Sequence, residues 1–575
     1  MKKRVGCNVL VSFMIVFLLT PAISYARIYL FDRKLEINGS IEQKANWKFN
    51  LKDWEKGKGK HNARVNPDDT VIKGTEGSQS NGGRYPQNAP TLFKTHLHLE
   101  GLYHVFNEGG KLLDAFVLLE WFYDWGPDMT GSLGRGIRAR DEDRYKTPHG
   151  WEPVRELYVN YINGPWTLRL GKQMVVWGET GLQRTADVVN PVDLRSHFMG
   201  VDDWEDFKQG LWMFRGFYQT SFVNDFTFEW IIVPYDVKEL ELAPEGTMYN
   251  SSYSGGFTSH MWKMWRHDKI NEHGLHNTQG GIRLRGFNWD WDWTFIYYNG
   301  YSPGPIVWDW GQRKNGYRPQ TPIGFTLYGA GTGGFNLYAA AYNINQSTGD
   351  RLPKHYNGRM FQYYRNHNFG ATATKYVYKM PFFGLFEIPL KSNVRFEFAY
   401  KKDIRFNTLE YDAGGNQWAV NGRTEKDQVA FAVEIGKDFM PGFITKYNGQ
   451  RSVDITLGIY GDWLLDDGGE ELDLNGYFRG SGDRFDNSYS LDITTDWFNN
   501  ELMTKFNFSY NVSGNGAFYA FIQYAPGQHW RFTFLPRVVW SNAGPFNNKT
   551  NASKAGWTEK NDTVNYLHFK VGYLF

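Results

Sequence analysis

Apolar and polar side chains alternate with a period of two in segment after segment of this chain. Each segment runs for about ten residues, so each reads as an extended strand with one face for hydrocarbon and one for water. From Thr91 to Val105 the odd positions carry Thr91, Phe93, Thr95, Leu97, Leu99, Gly101, Tyr103 and Val105, while Lys94, His96, His98, Glu100 and His104 take the other face. Comparable runs cover 112–125, 225–233, 279–287, 394–402, 428–437, 452–462, 488–498, 502–511 and 530–540. The connections alternate in length. Short turns are expected at 107–111, 163–165, 220–224, 288–290, 499–500 and 526–529, and long polar connections at 53–90, 126–153, 180–208 and 235–278. A soluble sandwich has no reason for that asymmetry, whereas a membrane barrel has short turns at one rim and long loops at the other.

Composition separates this reading from its competitors. A mean hydropathy of −0.54 is too polar for a helical membrane protein. Beyond the first residues no apolar run reaches the roughly 18 residues that a spanning helix needs. The chain nonetheless holds 23 tryptophans, 35 tyrosines and 43 phenylalanines, an excess that suits the aromatic girdles of a barrel. The 63 basic residues, less Lys2, Lys3 and Arg4, stand against 61 acidic ones, so no basic surface is set aside for nucleic acid.

Both termini carry an address. Lys2, Lys3 and Arg4, an apolar run from Val9 to Leu19 and the small-residue end Ser24-Tyr25-Ala26 have the order of a secretory signal peptide. Residues 1–26 are therefore expected to be removed, leaving 27–575 as a single outer-membrane domain. The only cysteine, Cys7, leaves with the signal, so the mature chain has no thiol for a disulfide, a metal site, a haem attachment or a nucleophile. At the other end Leu567, Phe569, Val571, Tyr573 and Phe575 alternate with His568, Lys570 and Gly572. This ending resembles the insertion signal of outer-membrane barrels, with Phe569, Val571, Tyr573 and Phe575 as its carriers, and it implies a meeting with the barrel-insertion machinery.

The expected fold is all-β: a transmembrane antiparallel up-and-down barrel of about eighteen strands, with sixteen and twenty as alternatives. Counting from both ends favours no spanning strand between Tyr301 and Phe369, so 302–368 becomes one large outer excursion that carries the Gly-rich piece 329–334.

Two stretches carry a more specific pattern. From Leu168 the chain reads Leu-Arg-Leu-Gly-Lys-Gln-Met-Val-Val-Trp-Gly-Glu-Thr, and from Asp187 it reads Asp-Val-Val-Asn-Pro-Val-Asp-Leu-Arg. This resembles a large proteobacterial outer-membrane family, classed as a domain of unknown function, whose members show Gly-Arg-Gln, Trp-Gly-Glu and Asn-Pro-x-Asp in that order. Lys172 stands here where the family has Arg, and Ser-His-Phe-Met-Gly follows Arg195 in place of the family's Pro-Gly text. A weaker resemblance reaches the alginate-export barrels. Period-two alternation puts Leu168, Leu170, Met174 and Val176 toward lipid, and Arg169, Gly171, Gln173 and Trp177 toward the lumen. Lys172 then falls on the lipid face unless a bulge re-aims it or it sits at the interface. Gly178 and Pro191 break the strand pattern. The following segment folds back as a pore constriction or forms an external turn, and the constriction candidates are Arg169, Gln173, Trp177, Glu179, Asn190, Asp193 and Arg195.

Other clusters are weaker. His96, His98 and Glu100 have a metal-ligand spacing but equally suit a polar lumen, so no metal is expected. His267, His273 and His276 crowd one loop, and Arg135, Arg138, Arg140 and Arg144 another. Acidic clusters at 141–143 and 466–471 oppose any simple selectivity. Trp289, Trp291 and Trp293 alternate with Asp290 and Asp292 beside a short turn, as interfacial indoles do. No nucleophile elbow, phosphate loop or dinucleotide fingerprint is present, so no enzyme and no cofactor is expected. The sequence therefore points to an outer-membrane channel, porin-like or for export, passing a small polar or amphipathic solute. A barrel sheath around an export partner or a multihaem cytochrome is the alternative, and a surface enzyme a third. Outer-membrane lipid and lipopolysaccharide are the expected surroundings.

Overall fold

The computed structural model describes residues 28–48, 90–129, 146–147, 152–181, 184–193, 208–220, 225–238, 275–302, 306–307, 361–362, 364–382, 386–388, 391–411, 418–440, 452–465, 485–498, 500–511, 515–541 and 566–575. Among them one antiparallel sheet holds nineteen strands, of which Ile28–Leu30 is a short patch on the inner end of its neighbour. The other eighteen close a barrel. They are β1 (Leu35–Lys48), β2 (Pro90–Glu108), β3 (Lys111–Asp124), β4 (Val154–Asn163), β5 (Trp166–Gln173), β6 (Leu211–Thr220), β7 (Phe226–Val233), β8 (Gln279–Asn288), β9 (Trp291–Tyr301), β10 (Arg365–Val377), β11 (Ser392–Tyr411), β12 (Trp418–Phe439), β13 (Val453–Leu464), β14 (Phe485–Trp497), β15 (Leu502–Asn511), β16 (Asn515–Tyr524), β17 (Trp530–Ser541) and β18 (Tyr566–Leu574).

Each strand pairs with its sequence neighbour, and β1 pairs with β18 from Ser40↔Leu574 to Lys48↔Tyr566. Gly39 and Phe575 then exchange both backbone hydrogen bonds at 2.9 Å, which completes the seam. The terminal alternation is visible there. Phe569 is 41% exposed on the outer face and meets Trp47 and Phe534 at ring distances of 5.5 and 4.9 Å, while Tyr573 stacks on His529 at the turn rim. No helix among the described residues is long and apolar enough to cross a membrane. Closure gives each of the eighteen strands a hydrogen-bonded neighbour on both sides, which is the condition hydrocarbon imposes on a spanning structure.

The two faces follow the alternation. Outward-facing Trp166, Leu168, Leu170, Phe214, Ile232, Phe295 and Leu457 are exposed, and the intervening residues face the interior. The expected short turns all lie at one end. At the β8–β9 turn Trp289 and Asp290 take positive φ of 52° and 62°, and Trp289 is 88% exposed. The connections at the other end are mostly long, with two exceptions that the sequence reading missed: 412–417 and 512–514. The direct pairing of β9 with β10, Tyr301↔Arg365 to Asp292↔Thr374, shows that no spanning strand intervenes. The Gly-rich piece 329–334 lies outside the described residues.

Candidate functional site

Strand β5 ends at Gln173, four residues earlier than the alternation suggested. Met174 and Val176 are therefore not lipid-facing wall residues, and Trp177 is not part of the wall. Instead the chain turns inward and runs across the interior faces of β6 to β12. The first requirement of such a path is satisfaction of its backbone polar groups away from a sheet. Glu397 on β11, fully buried, meets much of it: one carboxylate oxygen accepts the amides of Glu179 (2.9 Å) and Thr180 (3.1 Å) and the Thr180 hydroxyl (2.9 Å). Its other oxygen accepts the Ala186 amide and the Thr185 hydroxyl at 3.2 Å. Glu434 on β12 accepts the Gly181 amide at 2.7 Å and the Tyr460 hydroxyl at 2.8 Å. The segment that begins at β5 is thus anchored six and seven strands away.

Its apolar side chains are buried under it. Val175, Trp177, Ala186 and Val189 form a core with Leu211, Met213, Ile231, Val233, Ile296 and Tyr298, all interior-facing residues of β6, β7 and β9. The Trp177 indole crosses Tyr298 edge-on at 6.2 Å and donates to Glu229 at 3.2 Å. Glu229 also accepts Arg215 Nε at 2.7 Å, and Arg283 Nε lies 2.7 Å from its second oxygen. One carboxylate is thereby shared by two guanidinium groups beneath the tryptophan.

The Asn-Pro stretch closes the excursion. Asn190 accepts the Val175 amide at 2.8 Å and donates to the carbonyls of Gln173 (3.2 Å) and Gln209 (2.6 Å), tying the start of the segment to its end. Pro191 lacks an N–H and its carbonyl accepts the Gln209 amide at 2.9 Å. Lys208 pairs with the fully buried Asp187 carboxylate at 3.0 Å.

The candidates read from the sequence fall into distinct roles. Gln173, Asn190 and Asp193 are buried structural groups: Gln173 donates to the Met213 carbonyl at 3.1 Å, and Asp193 lies 3.8 Å from Arg155. Trp177 anchors the segment to the wall. Glu179 accepts the hydroxyls of Thr294 (3.5 Å) and Thr374 (3.2 Å) on β9 and β10. Arg169 is a half-buried interior wall residue, and Arg195 lies outside the described residues. Lys172 keeps the lipid-face parity of Leu168 and Leu170 but sits one residue from the strand end, 7% exposed, with its ammonium donating to the Val154 carbonyl. Gly171 beside it has φ 137°, and a Cβ there would stand 2.1 Å from the Leu157 carbonyl oxygen, so only glycine fits the turn-in point.

Sequence reasoning missed Glu397, Glu434, Glu229 and Lys208. The three glutamates sit at interior-face positions of alternating strands, like many other polar residues, and only their partners distinguish them. His96 lies 2.7 Å from Glu120 and His98 3.0 Å from Glu100. Among the described residues no group of three His, Cys, Asp or Glu could hold a metal ion. His267, His273, the arginine loop and both acidic clusters lie outside the described residues.

A family profile described as "Protein of unknown function (DUF1302)" matches residues 63–563. No curated protein matches. Solved structures similar to the chain include OccAB3 of Acinetobacter baumannii, with 9% identity, 94% of this chain and 99% of that one covered, and a TM-score of 0.41. OccK9 (OpdG) of Pseudomonas aeruginosa shares 8% identity over 95% and 98% of the two chains, with a TM-score of 0.40. Salmonella typhi OmpF, solved in complex with daunomycin, shares 9% over 96% and 100%, with a TM-score of 0.36.

Proposed function

Since the chain belongs to the DUF1302 family of proteins of unknown function, we propose on physical grounds that it is a passive outer-membrane channel whose lumen is narrowed by residues 174–181 and 184–193. The observation that carries this is the anchoring of that segment on Glu397 and Glu434, across the interior from its origin on β5. Eighteen strands enclose more space than wall side chains alone fill, and a segment laid over the interior face reduces what is left for a solute. A small polar or amphipathic molecule suits such a passage. The same narrowing disfavours a sheath, which needs the interior free for its partner.

The test is electrical. The processed protein, purified in detergent and added to planar bilayers, is expected to give ohmic, water-filled conductance. Silent bilayers, despite insertion shown by protease protection, would overturn the proposal and favour the sheath.

A further inference from the structure

Resting on the channel reading, we infer that the interior wall of β2 to β8 is a selectivity strip for organic carboxylates with a flat apolar body. Two rows run side by side there. The first passes through cross-strand partners Leu102, Phe116 and Tyr158, all on the interior face. Phe116 and Tyr158 stack at 5.1 Å and both are half-buried. Apolar groups in register on three strands are out of place in a lumen lined for water alone. The second row passes through Asp114, Asn160, Arg169 and Arg215, again direct partners.

Arg169 and Arg215 face each other across adjacent strands, an arrangement that disfavours folding unless something offsets it. Arg215 has Glu229, which it shares with Arg283. Arg169 has the Asn160 side-chain oxygen at 3.3 Å and the Tyr158 ring at 4.3 Å, and among the described residues no carboxylate forms an ion pair with it. Asp114, in the same row, is held by His104 at 2.8 Å, and Glu156 is tied to the Met174 amide at 2.7 Å. Arg169 is therefore the guanidinium of the row that forms no ion pair among the described residues, with the Tyr158 ring beside it and the Phe217 ring 4.6 Å from Arg215. A guanidinium fork takes a carboxylate in two parallel hydrogen bonds, and the neighbouring rings take a flat body. Because Trp177 covers Glu229, the strip lies directly beside the infolded segment, where a passing solute is most confined.

The test measures reversal potentials of the full processed chain in planar bilayers under gradients of potassium benzoate, potassium gluconate and benzylammonium chloride. The expected order of permeability is benzoate, then gluconate, then benzylammonium. Arg169→Gln should lower the ratio of benzoate to benzylammonium by up to about fivefold, the upper end for a partly exposed charge contact. Tyr158→Leu should erase the preference of benzoate over gluconate and leave the preference for anions. A cation-preferring wild type, or an unchanged ratio in both Arg169→Gln and Arg169→Lys, overturns the inference while the channel stands. No conductance for any salt removes the channel reading, and the inference with it.

Discussion

Glu397→Gln is expected to release the infolded segment and raise the conductance of the barrel while leaving its wall intact. The wild-type carboxylate accepts three backbone amides and two hydroxyls with no donor of its own. A carboxamide keeps one oxygen and turns an NH2 toward groups that are already donors. Even with the carboxamide oxygen kept toward Glu179 and Thr180, the buried Ala186 N–H loses its acceptor, at a cost of about 1–3 kcal/mol. Every 1.4 kcal/mol shifts the docked-to-released ratio by about tenfold, so the released state gains population by about five- to a hundredfold. The β11 strand itself keeps its ladder to β10 and β12, because that ladder is made by backbone groups. Single-channel recording reports the conductance, and hydrogen exchange at the Thr180 and Ala186 amides reports the release. Thr185→Val removes one neutral bond and should move both readouts far less. Equal conductance together with unchanged exchange at those two amides in Glu397→Gln would show that the carboxylate does not hold the segment.

Glu229→Gln should be the most destabilising single change in the wall. The Glu229 side chain is 1% exposed and sits between Arg215 and Arg283, with the Trp177 indole on the same oxygen as Arg215. Removing one partner from a buried ion pair typically costs about 3–5 kcal/mol, because the remaining charge has no compensation. Two guanidinium groups are left here. Denaturant titration of the barrel in lipid vesicles measures the loss. Arg285→Gln provides the scale at the other extreme: its pair with Asp292 is about half exposed, and its removal should cost no more than about 1 kcal/mol. Adding Arg215→Gln to Glu229→Gln should recover part of the loss, since it removes one of the stranded charges. A Glu229→Gln protein as stable as Arg285→Gln would refute the shared-carboxylate account.

These two glutamates mark the boundary of what the chain reveals when read linearly. Both occupy positions that the alternation assigns to the interior: Glu229 in the run 225–233 and Glu397 in the run 394–402. The pattern says that a polar residue is tolerated there. It does not say that Glu397 meets residues more than 200 positions away. The reverse holds for Asn190 and Asp193, which the Asn-Pro-x-Asp pattern brought forward as pore groups. Asn190 is 4% exposed and spends its amide on the segment's own backbone, so the motif encodes a clamp. Trp177 lies beyond the strand that carries the alternation and reaches the interior only through the infolded segment.

The sequence by itself determined the class of fold, a strand count of about eighteen with sixteen and twenty still open, the inward and outward faces of the strands and the rim at which the short turns lie. Each of these follows from local rules: side chains alternate every second residue, and a closed sheet in hydrocarbon leaves no amide unpaired. Tertiary structure alone decided the path of 174–181 and 184–193, the anchoring on Glu397 and Glu434, and the sharing of Glu229. An excursion that leaves the sheet has no period to follow, and its course is set by which distant buried carboxylates can accept its amides.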